Sequence, residues 1–155
     1  MLKKILKSLG VKTMIKNEIM LDAEYADIII SLLHEPYAIS SISKLVFISF
    51  CVKHESNLSS YANRSKDFVD CFFKNISLKL SAHYDELNSI FRVIDLLERN
   101  SFVQINDDSI ELVTEFKHEP ENHFLKFCQK KTPNPIIEIN KLNAKALIEE
   151  VIRYV

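Results

Sequence analysis

The stretch "VIDLLERNSFVQINDDSIELV", residues 93–113, changes its hydrophobic period partway along, and that change decides the fold. In the longer run "YDELNSIFRVIDLLERN" (84–100), Leu87, Ile90, Phe91, Ile94 and Leu97 recur at three- and four-residue steps, and Asn100 stands ready to supply a left-handed stop. That spacing places the apolar residues on one face of an α-helix. Beyond it the period becomes two: Phe102, Val103 and Ile105, the turn residues "NDDS", then Ile110, Leu112 and Val113. Alternation around a polar turn predicts a short β-hairpin centred on Asn106 to Ser109.

The segments upstream read as helices. Asp22 is placed to cap a helix through "AEYADIIISLLHE" (23–35), which Pro36 limits, because proline disfavours helical geometry at the residue before it. In "SSISKLVFISFCVKHES" (40–56), Ser40 or Ser41 is the cap, and Ile42, Leu45, Val46, Phe47, Ile48, Phe50 and Val52 are apolar on almost every side. A helix apolar all round belongs in the middle of a fold. "HESNLSSYANRS" (54–65) reads as a polar linker, and "KDFVDCFFKNISLKL" (66–80) as a third helix capped by Ser65, with Phe68, Phe72 and Ile76 on one face. Helices followed by a helix and hairpin predict a mainly α, winged-helix-like domain.

After the hairpin, a short helix is expected near His123 to Lys130, a break at "TPNP" (132–135), and a final helix with Leu142, Ala146, Val151 and Ile152 as its apolar residues. The first segment, "MLKKILKSLGVKTMIK" (1–16), holds Lys3, Lys4, Lys7, Lys12 and Lys16 with no acid before Glu18, and Leu2, Ile5, Leu6 and Leu9 at helical spacing. It reads either as an arm that docks on a partner or as a helix that caps the core with its lysines in water. The expected organisation is a basic amphipathic arm over residues 1–17 and one helical winged-helix-like domain over 18–155.

Composition narrows the function classes. A 155-residue chain that is 47% hydrophobic and 26% charged suits one domain with an ordinary core. Its net charge of −1 offers no overall attraction to a polyanion. Gly10 is the one glycine, whereas loops that wrap phosphates or dinucleotides need several for close backbone approach. Cys51, Cys71 and Cys128 are far apart without a CxxC pair, the usage of reduced core thiols. No apolar run is long enough for a bilayer, so the expectation is a soluble cytoplasmic protein with no membrane partner.

A wing that reads DNA carries lysine and arginine to neutralise phosphates. Residues 85–121 hold ten carboxylates against Arg92, Arg99 and Lys117, a formal charge of −7. Asp107 and Asp108 fall at the expected wing tip, with Glu111 on the second strand. A wing of that sign points to a protein partner or to a purely structural role. His118, Glu119, Glu121 and His123 lack the spacing of a helical zinc motif and are interrupted by Pro120, so they read as surface residues. No local motif singles out a catalytic cysteine or histidine. The expectation is a chain with no metal, cofactor or catalytic residue.

The order "AISSISKLVFISFCVKHESN" (38–57), "YANRSKDFVDCFFKN" (61–75) and "ELNSIFRVIDLLERNSFVQINDDSIEL" (86–112) resembles the small middle component of bacterial three-component ABC or SMC-type ATPase systems, among them the Lamassu anti-phage and anti-plasmid defence group. The resemblance spans roughly residues 20 to 115, is one of layout, and transfers no site residue. It implies a non-catalytic adaptor between an SMC-like ATPase and an effector nuclease, with DNA reached through the complex. The partner-binding residues expected on that reading are Leu2, Lys3, Lys4, Ile5, Leu6, Lys7 and Leu9 of the arm, and Asp107, Asp108 and Glu111 of the wing. Two other readings are a small winged-helix transcriptional regulator, using a basic end of the chain on DNA, and a phage or plasmid protein that inhibits a host enzyme by binding it.

Overall fold

The computed structural model describes residues 13–55 and 68–153. In chain order its elements are α1 (Thr13–Leu33), α2 (Ile42–His54), α3 (Phe68–His83), α4 (Glu86–Arg99), β1 (Val103–Asn106), β2 (Ser109–Leu112), α5 (His123–Gln129), α6 (Pro135–Asn140) and α7 (Ala144–Arg153). The chain is mainly helical with one antiparallel hairpin among the described residues.

Helix α2 organises the core. Ser41 caps it, its Oγ accepting from the Lys44 amide, and Leu45, Val46, Ile48, Ser49, Phe50, Cys51 and Val52 are all buried. Buried residues all round the helix, with only Phe47 partly exposed among them, mean that α2 must be covered on several sides. Helices α1 and α4 pack on it and on each other, and α3, α5 and α7 also contact it. The hairpin pairs Val103 with Leu112 and Asn106 with Ser109. It is tied to the segment just before α2: Ser41 bridges Ser109, the Ile110 amide donates to the Ser40 carbonyl (2.9 Å), and the Ile42 amide donates to the Asp108 carbonyl (2.8 Å). A single bridge residue just before α2, Ser41, therefore borders the start of β2, which pairs with β1. With α1, α2 and α4 as core helices, α3 between the second and third in sequence, and the hairpin following α4, the arrangement is winged-helix-like.

The last three helices close the other side. Phe72 of α3 stacks on Phe124 of α5 at 6.1 Å. Lys44 Nζ donates to the Asn140 carbonyl (2.8 Å), and Asn134 Nδ2 donates to the Tyr37 hydroxyl (3.1 Å), fixing α6 to the central helix and to the turn after α1.

Several boundaries differ from the sequence reading. Asp22 does not cap α1, which begins at Thr13; it lies inside the helix and pairs with Arg92. The left-handed residue after α4 is Ser101 (φ 60°), while Asn100 has φ −92°. The Ser101 amide donates to the Glu98 carbonyl and the Phe102 amide to the Leu97 carbonyl, both at 2.9 Å, the paired bonds of a Schellman stop. Phe102 serves that stop and precedes the strand. Phe91, counted on the apolar face by its spacing, is 53% exposed; Val93 joins Ile90, Ile94 and Leu97 on the buried face. In the C-terminal region the proline-containing break is followed by α6, which starts at Pro135 behind the cap Asn134. In α7 the buried residues are Leu147 and Val151; Leu142 precedes the helix and Ile152 is 64% exposed. Most of the arm, residues 1–12, most of the expected linker, and the Ser65 cap lie outside the described residues, and α1 runs unbroken across positions 17 and 18.

The two neighbours Ile90 and Phe91 separate these faces experimentally. Ile90→Ala should cost about 2–5 kcal/mol in urea denaturation, whereas Phe91→Ala should stay within about 0.5 kcal/mol of the parent.

Candidate functional site

In a winged helix that reads DNA, the helix before the wing presents cations outward. Here that helix is α4, and both of its arginines are already engaged. The Arg92 guanidinium makes a forked contact with Asp22 of α1, Nε to Oδ2 at 2.7 Å and Nη2 to Oδ1 at 2.8 Å, and Nη2 also donates to Ser89 Oγ (3.1 Å). The hydrogen bonds it donates to Asp22 hold the charge on Arg92 even more firmly than usual. Arg99 pairs with Asp95 one turn back, at 3.0 Å. By contrast Glu98, Asp107, Glu111, Glu115 and Glu119 are exposed and have no ion pair among the described residues. The acidic excess of residues 85–121 therefore remains in the folded surface.

The three wing acids have different roles. Asp107 occupies the tip with φ 53°, a conformation aspartate tolerates better than most residues. The Asp108 carboxylate is spent inside the molecule: Oδ2 accepts from Ser41 Oγ (2.8 Å), and Oδ1 accepts from Ser43 Oγ (2.8 Å) and the Ser43 amide (3.0 Å). These donors hold its pKa below the ordinary carboxylate value. Asp108 thus sits on the N-terminus of α2, where an anion is favoured, and anchors the hairpin there. Asp107 and Glu111 keep carboxylates open to a partner. The expected arm residues Leu2, Lys3, Lys4, Ile5, Leu6, Lys7 and Leu9 lie outside the described residues.

A polar cluster at the start of α4 joins four helices. Glu86 Oε2 accepts from the Tyr25 hydroxyl (2.7 Å) and lies 2.8 Å from His54 Nε2, which acts as a donor there. His83 stacks on His54 with centroids 4.9 Å apart, and its Nδ1 is 3.8 Å from Glu86 Oε1. Burial pushes the Glu86 pKa up, but the hydrogen bonds from Tyr25 and His54 more than reverse this and leave it lowered. Burial lowers the His54 pKa despite the neighbouring carboxylate. The arrangement is a neutral imidazole donating to an ionised carboxylate, with the buried Tyr25 phenol held protonated. Its partners are 32 and 61 residues apart in sequence, so no local motif marks them.

That pair could orient a base, but neither described thiol supplies a nucleophile. Cys51 is buried and its pKa is pushed well above that of a free thiol by burial; burial likewise pushes Cys128 up to about 12. The side chain of Cys71 lies outside the described residues.

The residues weighed as metal ligands do not converge. His118 is not a free surface residue: its Nε2 lies 2.9 Å from Asp27 Oδ1, while Asp27 also accepts from the Glu121 and Asn122 amides at 3.0 Å. His123 is exposed at the start of α5. Nearby, His34 has Nδ1 2.8 Å from the Ile30 carbonyl and Nε2 2.8 Å from the Phe116 carbonyl, so it bridges α1 to the chain that leaves the hairpin. An open depression of about 410 Å³ lies beside it, lined by His34, Leu112, Thr114, Glu115, Phe116 and Lys117.

The fold and surface define a winged-helix-like domain with an acidic outer face. Family models, curated proteins and solved structures give no match to this chain. No helix among the described residues is long and apolar enough to cross a membrane.

The polar junctions lead to two expected outcomes. Because the folded pKa of His54 lies below 6.5 and that of Glu86 below 4.5, their contributions are complete at neutral pH and are lost as the pH falls. Tm should decline as the pH drops below 6.5, and His54→Gln should flatten the upper part of that decline; a parent profile level down to about pH 5 would count against the pair. Asp108→Ala should destabilise the fold by about 1 kcal/mol in denaturant titration, as loss of a helix cap does, and speed amide exchange at Ile42 and Ser43.

Proposed function

We propose that this chain is a non-catalytic adaptor subunit, joining an SMC-like ATPase to an effector nuclease in a bacterial anti-phage or anti-plasmid defence complex. The observation that carries the reading is the cancelled charge on α4. Arg92 is committed to Asp22 and Arg99 to Asp95, while Asp107 and Glu111 on the wing remain unpaired among the described residues. A surface of this sign repels phosphate and suits a cation-bearing protein face. DNA is then met by the other subunits, and ATP hydrolysis and nucleic-acid cleavage belong to them. The layout resemblance supplies the class of partner. The complex is placed in the cytoplasm, where its DNA target is found.

The test is to co-express the tagged protein with the products of its neighbouring genes, purify at moderate salt and weigh what is retained. An ATPase and a nuclease-like chain in fixed ratio are expected. Recovery of the protein alone as a dimer, with DNA affinity falling steeply with salt, would instead establish a transcriptional regulator. In the complex, Asp107→Lys combined with Glu111→Lys should weaken partner binding by up to about tenfold, since each rim charge carries a modest share. Stronger DNA binding with partner affinity unchanged would count against the adaptor role.

A further inference from the structure

His34 follows directly on α1 and has an acceptor at each ring nitrogen. Nδ1 lies 2.8 Å from the Ile30 carbonyl, and Nε2 lies 2.8 Å from the Phe116 carbonyl. A carbonyl oxygen only accepts, whereas a neutral imidazole carries one N–H and one lone pair, so it satisfies one contact and sets a lone pair against oxygen in the other. Only the imidazolium donates to both. The Ile30 carbonyl is fixed in α1 and also accepts the His34 amide (3.3 Å). The Phe116 carbonyl belongs to an irregular segment, so that side of the contact is the one that can yield.

The segment is tied at both ends by bonds that do not need the imidazolium. Thr114 Oγ1 donates to the Ser101 carbonyl (3.1 Å), and His118 Nε2 donates to Asp27 Oδ1 (2.9 Å), a bond that a neutral imidazole also makes. Between these ties, Glu115, Phe116 and Lys117 line the open depression together with His34 and Leu112. The Phe116 ring stands edge-on to His34 at 4.9 Å and to Phe102 at 5.7 Å. The titratable and charged groups around His34 are Asp27 and Glu35 on the α1 side, and Glu115, Lys117 and His118 on the segment, with the His118 ring 6.2 Å away. We propose that residues 115–117 are a pH-sensitive latch between α1 and the wing, clamped at Phe116 while His34 carries two protons and released there when it carries one. Histidine changes its charge roughly between pH 5 and 8, so acid closes the clamp and a rise through that range opens it. Release moves the Phe116 ring and so reshapes the depression beside the wing. The latch does not depend on the adaptor reading. Its sign is opposite to that of the His54 and Glu86 contribution, which is lost as the pH falls, so the segment itself has to be read in place of Tm.

The experiment is NMR on the full isotope-labelled chain, taken from about pH 5 to about pH 8. The ring nitrogens of His34 report how many protons they carry, and backbone order parameters report the hold on residues 115–117. At the acid end both nitrogens should be protonated and the order parameters near roughly 0.85; as the ring loses a proton they should fall below roughly 0.6, with α5 unchanged. The response should persist in His118→Gln, whose amide still donates to Asp27, and be absent from His34→Leu, in which the segment is loose at every pH. A His34 ring whose proton count stays constant over the range overturns the proposal, as does a segment equally ordered on both sides of that change. So does a response abolished in His118→Gln and kept in His34→Leu. Should either variant fail to fold, the titration of the parent chain decides alone.

Discussion

The need to cover α2 governs the architecture. From Leu45 to Val52 nearly every side chain is buried, including those on opposite sides of the helix. Such a segment is stable only when other elements remove it from water on several sides, and each large side chain buried there contributes about 1.5–3 kcal/mol relative to exposure. The amphipathic helices α1 and α4 cover one part, while α3, α5 and α7 cover others. The buried set forms one continuous cluster running from Tyr25 to Val151. The C-terminal helices are therefore part of the same core and do not form a separate tail.

Polar groups enter this structure mainly where elements end and must be joined. Asp108 fastens the hairpin turn to the start of α2 through Ser41 and Ser43. Glu86, at the first turn of α4, gathers Tyr25 from α1 and His54 from the end of α2. Asp27 receives His118 and two backbone amides from the chain leaving the hairpin. In each case a carboxylate satisfies donors from a distant segment, which restricts how the elements can slide over one another. These acids serve as internal ties, and they leave the exposed ones to define the outer surface.

The distinction bears directly on function. A winged-helix framework does not specify DNA binding; the charge displayed on its third core helix and wing does. Here that helix has arginines, but the packing of α1 brings Asp22 onto Arg92 and the helical repeat sets Asp95 against Arg99. What remains outward carries an acidic excess, which supports the proposal that this surface meets another protein.

Much of the fold was legible in the chain alone because its signals are local. The change from helical to two-residue periodicity after Asn100 located α4 and the hairpin, and the apolar run after Ser41 located the central helix. Signals that depend on neighbours were not legible. Phe91 and Val93 are both apolar, and only the packing against α1 and α2 decides which is buried. Asp22 looked like a cap, because no local pattern reveals a partner 70 residues away. Asp107 and Asp108 are adjacent and chemically identical, yet one is displayed and the other is tied to α2. The sequence by itself determined most of the helices, though not the separate α6 or the start of α1, together with the hairpin and the sign of the surface, since these follow from side-chain periodicity and composition. Only the tertiary structure decided which charges stay free, since that depends on which distant groups the covering of α2 brings within hydrogen-bonding distance.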